Sequence, residues 1–74
     1  MDIRLGIWKH SKKSTCYRVV GVATHSETLE KMVVYEALYD NDVAKLWVRP
    51  AAMWTEEVEI DGELKPRFVF VSEN

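Results

Sequence analysis

Apolar and polar positions alternate through most of the chain. In "RLGIWKH" (4–10) Leu5 and Ile7 fall on one face and Arg4, Gly6, Trp8 and His10 on the other, the two-residue period of a half-buried strand. The polar run "SKKS" interrupts the pattern. Residues 15–24 resume it, with Tyr17, Val19, Gly21 and Ala23 opposite Cys16, Arg18, Val20 and Val22; a glycine inside such a run predicts a bulge or a sharp bend. After "HSETLE" (25–30), Val33, Tyr35, Ala37 and Tyr39 share one face. A helix competes here, because Leu29, Met32, Val33 and Glu36 also fit a helical stripe. Val33, Val34 and Tyr35 favour a strand, and "DND" at 40–42 supplies turn chemistry. "KLWVR" reads as a short strand stopped by Pro50, which has no N–H for a ladder. "AAMW" is too short for a full helix and predicts one 3₁₀ turn. Val58 and Ile60 then precede Asp61-Gly62, a pair that suits a type I′ hairpin turn, with Phe68 and Phe70 beyond it.

Five or six short strands with tight turns and one 3₁₀ turn predict a single all-β domain over residues 1–74, a small and strongly bent SH3-like barrel. Composition supports a core: 47% of residues are hydrophobic, and three Trp, three Tyr and two Phe supply large apolar area from few positions. A lone Cys16 rules out an intrachain disulfide, and no basic segment followed by an apolar run opens the chain, which predicts a reducing, cytoplasmic setting. No apolar run reaches the roughly 18 residues of a spanning helix, so a soluble protein without a membrane partner is expected.

Charge narrows the partners. Ten Lys and Arg against twelve Asp and Glu give a net charge of −2, which disfavours general nucleic-acid binding, since that needs a basic face. The cations are unevenly placed, however. Lys9, Lys12, Lys13 and Arg18 lie early, while Glu56, Glu57, Glu59, Asp61 and Glu63 crowd a late segment, so a local anion site is compatible with the overall charge.

The blocks "GIW.H", "Y.V.GVA.HSET.E..VVY.ALY", "LWVRP..M" and "V..DGE..PRF" resemble successive blocks of a small bacterial and phage family, Domain of Unknown Function 1653. The resemblance runs from Gly6 to about Phe68. Two stretches depart from it: "SKKST" stands where the family has a Tyr-Lys-Gly loop, and "DNDVAK" replaces a shorter turn bearing glycine. The resemblance implies a shared fold and supplies no activity.

Candidate chemistry centres first on "HSET". Thr24 with Glu27 three residues on fits a capping box, and hydroxyl side chains commonly close turns. Turning alone does not call for His25. Together His25, Ser26, Glu27 and Thr28 offer donors and acceptors suited to a nucleobase edge or a sugar. They do not make a catalytic triad, because consecutive residues of an extended chain point to opposite sides, and no catalytic residue is assigned. Cys16, with His10 as its potential cross-strand neighbour, reads as a small hydrophobe. Two His fifteen residues apart match no ligand spacing, so neither a metal nor a cofactor is expected.

A second constellation is aromatic and basic. Alternation puts Lys45, Trp47 and Arg49 on one face, groups Arg4, Trp8 and His10 on another, and leaves Arg67 beside the Phe68 strand. Trp47 as core and Arg49 paired with a glutamate is the competing account; where both hold, the indole forms one wall of a shallow pocket. The sequence thus points to a small binding module, not an enzyme, for a compact polar, anionic or nucleotide-like ligand. Arg49 and Arg67 would supply charge, Trp47 stacking, and His10, His25, Ser26, Glu27 and Thr28 orientation. "HSETLE" is expected to fold over the open end of the barrel so that His25 and Glu27 face the same pocket as Arg49. A sequestering role is compatible. Two other classes stay open: a protein–protein adaptor with Trp8, Trp54 and Tyr39 lining a groove, and an enzyme acting on a nucleotide through His25.

Overall fold

Antiparallel pairing organises the chain throughout. The computed structural model describes residues 3–40 and 42–73. Its elements are β1 (Gly6–His10), β2 (Cys16–Thr24), β3 (Lys31–Ala37), β4 (Leu46–Pro50), α1 (Ala51–Trp54), β5 (Glu57–Ile60), β6 (Glu63–Pro66) and β7 (Phe68–Ser72). Five strands form one sheet in the order β4-β3-β2-β1-β7, and β5 and β6 form a separate two-stranded hairpin. The protein is therefore all-β with one short helical turn. The five-stranded ladder ends at β4 and β7, which do not pair with each other among the described residues.

The period-two reading of β2 and β3 matches their burial. Tyr17, Val19, Val33, Tyr35 and Ala37 are buried on the inner face, joined by Ala51 and Trp54 of α1 and Phe68 of β7. β3 is a strand because its branched and aromatic residues alternate inward, which overrides the helical stripe. The sheet register slips between Val19 and Gly21, as a glycine in mid-strand suggests, and a Cβ at Gly21 would meet nothing within 4 Å. The Trp54 ring stacks on Phe68 with centroids 3.8 Å apart and planes 4° from parallel, and meets Trp8 edge-on at 5.8 Å. Such aromatic pairs add about 0.5–1.5 kcal/mol each beyond burial, which helps a chain this short hold together without a disulfide.

Three details differ from the sequence reading. On β1 the inward face is Gly6, Trp8 and His10, with Leu5 57% exposed, because β7 lies alongside and lays Phe68 and Phe70 against that face. Gly6 is required there: its φ is +133°, and a Cβ would come within 2.5 Å of the Ser72 carbonyl oxygen. α1 is an α-turn and not 3₁₀, since the Thr55 N–H reaches back four residues to the Ala51 carbonyl at 3.2 Å. Asp61 and Gly62 both have positive φ, 52° and 81°, as a type I′ turn requires, yet the arm opposite Val58 and Ile60 is Glu63–Pro66. Phe68 and Phe70 instead belong to β7, which pairs with β1. The turn expected at 40–42 includes residue 41, which lies outside the described residues. No helix of the described residues is long and apolar enough to cross a membrane.

Candidate functional site: a cationic aromatic cleft

Strand register assembles the cleft. β3 and β4 set Tyr35 opposite Trp47 and Val33 opposite Arg49, and β2 brings Tyr17 alongside. With Tyr39 and Lys13 from the adjoining loops, these side chains line a cavity of about 190 Å³. Tyr17 meets Tyr35 and Tyr39 edge-on, at 5.4 and 5.7 Å. The Thr15 hydroxyl donates to the Tyr17 oxygen at 2.8 Å. The Tyr39 hydroxyl is held above the ordinary phenol range, first by its hydrogen bond with Tyr17, then by burial and the neighbouring phenols. It therefore stays a neutral hydrogen-bonding group near pH 7. The Trp47 indole N–H donates to the Ala44 carbonyl at 3.1 Å, which fixes the ring at the wall of the cleft.

Arg49 is the unusual member. Among the described residues its buried Nε has no hydrogen-bond partner and its guanidinium makes no ion pair. Its guanidinium carbon lies 5.5 Å from the centre of the Phe68 ring, a contact that leaves the donors free for other partners.

Beside it stands His10, buried and edge-on to Phe68 at 5.0 Å. Its Nδ1 accepts from the backbone N–H groups of Lys12 and Lys13, at 3.2 and 3.1 Å, so the neutral ring carries its proton on Nε2. The imidazole is held below its ordinary 6.5 by burial first, and then by the charges of Lys13, Arg67, Arg49 and Lys12. Four cations thus converge on one side chain in a chain whose net charge is negative. Arg67 alone of the four has a carboxylate among the described residues, Glu56 at 3.3 Å.

The "HSET" residues lie elsewhere. His25, Ser26, Glu27 and Thr28 are all exposed and none of them lines the cleft with Trp47 and Arg49. Their loop is closed by its own backbone: the His25 N–H donates to Glu30 O at 2.8 Å and the Leu29 N–H to His25 O at 2.9 Å. The His25 Nδ1 accepts from the N–H groups of Glu27 and Thr28, at 3.1 and 3.3 Å. The capping box does not form, because Thr24 Oγ1 instead accepts from Lys31 Nζ at 3.2 Å. The imidazole is the cap.

Of the residues proposed from sequence, the structure brings Trp47 and Arg49 into the cleft, sets His10 next to it, and ties Arg67 to Glu56. Lys13, Tyr17, Tyr35 and Tyr39 complete the lining. Alternation puts Tyr35 and Tyr39 on one face and Tyr17 on a face of the preceding strand; the pairing of the strands and the paths of the loops bring them together with Lys13. Among the described residues no group of three or more His, Cys, Asp or Glu is placed to hold a metal ion.

Fold and cleft together define a small antiparallel β domain with a cationic, tyrosine-lined recess at the inner side of its sheet. The model of the family described as "Protein of unknown function (DUF1653)" matches residues 6–70, and the chain belongs to that family. It is similar to a crystal structure of a DUF1653 protein from Bordetella bronchiseptica, with 33% identity and a TM-score of 0.91 over 99% of this chain and 92% of that one. A comparison with curated proteins gives no match.

Proposed function

We propose that the chain is a small binding module that holds a compact anionic or nucleotide-like ligand in the cleft of Lys13, Tyr17, Tyr35, Tyr39, Trp47 and Arg49. The observation that carries this is Arg49, whose buried Nε has no partner and whose charge has no counterion among the described residues. Leaving such a donor unsatisfied costs about 1–3 kcal/mol, and an incoming carboxylate or phosphate supplies charge-assisted bonds in its place. A cage of Tyr and Trp rings by itself suits an organic cation. Two cationic side chains in the lining, and no carboxylate there among the described residues, reverse that preference. The working setting is the cytoplasm, where the free Cys16 stays reduced, and sequestration of the ligand is one use of such a module.

The test is a titration of the protein with phosphate, pyrophosphate and nucleoside monophosphates, followed by the Trp47 indole N–H resonance and by thermal shift. Arg49→Met is expected to weaken binding at least about tenfold, the loss of one charged hydrogen bond, with the fold kept. No response from any of these anions on an intact fold retires the reading. For the adaptor alternative, Trp54 is 1% exposed and Trp8 packs against the core, so Tyr39 is the exposed member of its three groove residues. A partner protein whose capture depends on Trp8 and not on Arg49 would favour it.

A further inference from the structure

A second cavity, of about 410 Å³, shares Tyr39 with the cleft in its lining. The smaller recess falls below the roughly 300–1,000 Å³ of small-molecule sites, so by itself it seats an anionic group and little more. The two differ in chemistry. Among the described residues the cleft presents Lys13 and Arg49 with no carboxylate, whereas the larger cavity presents Glu36, Asp40 and Lys45. Glu36 is already held by Lys45 at 3.4 Å and Arg18 at 3.7 Å, while Asp40 makes no ion pair among the described residues. A second anionic group is therefore disfavoured beyond Tyr39. Hydroxyl groups suit it, because a carboxylate accepts hydrogen bonds and cannot donate them.

We propose that the ligand is a sugar phosphate, free or as part of a nucleotide, with its phosphate in the Arg49–Lys13 cleft and its hydroxyl-bearing body in the cavity beyond Tyr39. This rests on the anion reading of the cleft. The Tyr39 ring marks the boundary and offers an apolar face against the sugar carbons, while its hydroxyl, neutral near pH 7 as any phenol is, hydrogen-bonds without adding charge. Asp40 takes hydroxyl hydrogens at the far end. An organic cation fails at Arg49, and a ligand with anionic groups at both ends fails at Asp40.

The experiment is calorimetric titration of the whole chain, its Arg49→Met variant and its Asp40→Asn variant with inorganic phosphate, ribose 5-phosphate, 2-deoxyribose 5-phosphate and adenosine monophosphate. Asp40 is exposed, so Asp40→Asn keeps the fold. Ribose 5-phosphate is expected to bind at least about tenfold tighter than inorganic phosphate. Asp40→Asn should remove most of that gain and leave inorganic phosphate unchanged, and Arg49→Met should weaken every probe. Tighter binding of adenosine monophosphate than of ribose 5-phosphate assigns the nucleotide as the source; equal binding assigns the free sugar phosphate. Phosphate binding that depends on Arg49 yet gains nothing from the sugar, or is indifferent to Asp40→Asn, overturns the sugar-phosphate assignment and leaves the anion cleft standing. Binding of no probe overturns both.

Discussion

Residues 10–15 and 25–30, which read HSKKST and HSETLE, close two successive hairpins in the same way. In each, the first residue's N–H donates to the sixth residue's carbonyl, and the fifth residue's N–H returns to the first residue's carbonyl. In each, the histidine Nδ1 accepts from the N–H groups two and three residues on. In each, the fifth residue is left-handed, Ser14 at φ 59° and Leu29 at φ 63°. The surroundings differ. His10 is 5% exposed, packed on Phe68 and ringed by cations, whereas His25 stands in an exposed loop with Glu27. Local chain geometry accounts for a histidine at both places, and only the tertiary setting gives one of them a second role.

The largest effect that tests this is the unequal cost of removing the two imidazoles. His25→Ala loses a solvent-exposed cap and is expected to cost about 1 kcal/mol, as lost helix caps do. His10→Ala also empties a packed site beside Phe68 and leaves two loop N–H groups without their acceptor, for about 2–4 kcal/mol. Urea unfolding measures both. Asparagine, whose side-chain oxygen can replace Nδ1, should restore most of the loss at 25 and little at 10, where the ring itself is packed. Equal losses at the two sites would show that the core setting of His10 adds nothing.

Next in size is the pH response that the buried site creates. Lys12 and Lys13 of its own loop, Arg49 of β4 and Arg67 ahead of β7 face His10, with Glu56 paired to Arg67 as the nearby carboxylate. Because the folded imidazole lies below 6.5, the unfolded chain takes up the proton first as pH falls. The stability contributed by neutral His10 is thus fully present above about pH 6.5, declines below it, and is lost once pH passes below the folded value. Urea midpoints at pH 7.5, 6.5 and 5.5 should fall across this window, and His10→Gln should flatten the fall. Phosphate at matched ionic strength should recover part of the loss at pH 5.5 if the cationic cluster holds it. A slope unchanged by His10→Gln would place the titration on another group.

Much of this comparison was present in the sequence. The inward run of Val33, Tyr35 and Ala37, the Asp61-Gly62 turn, and Trp47 with Arg49 on one face all follow from a two-residue period. The likeness of HSKKST and HSETLE was equally available, yet the rule for hydroxyl caps points to Thr24 and Glu27 and passes over the imidazole, whose Nδ1 reaches the same N–H groups. What local pattern does not carry is which strand covers which. β7 comes from the far end of the chain to pair with β1, and its Phe68 and Phe70 decide that Trp8 and His10, and not Leu5, turn inward. The approach of Lys13 and Tyr39 to Arg49 likewise depends on loops whose paths are set only after the strands have paired.

The smallest effect concerns the left-handed residue that the two loops share. A non-glycine residue in that region carries about 1–2 kcal/mol of strain, and glycine relieves it while giving back roughly 0.5–1 kcal/mol through its greater freedom in the unfolded chain. Ser14→Gly and Leu29→Gly should therefore each stabilise the protein by about 0.5–1 kcal/mol in urea unfolding. Leu29 is 72% exposed, so little packing is lost with its side chain. The loops close different hairpins, and the double variant should show the sum of the single gains within about 0.5 kcal/mol. A gain at 14 with a loss at 29 would mean that the Leu29 side chain contributes more to folding than its exposure allows, and the two loops would then differ in their own chemistry as well as in their surroundings.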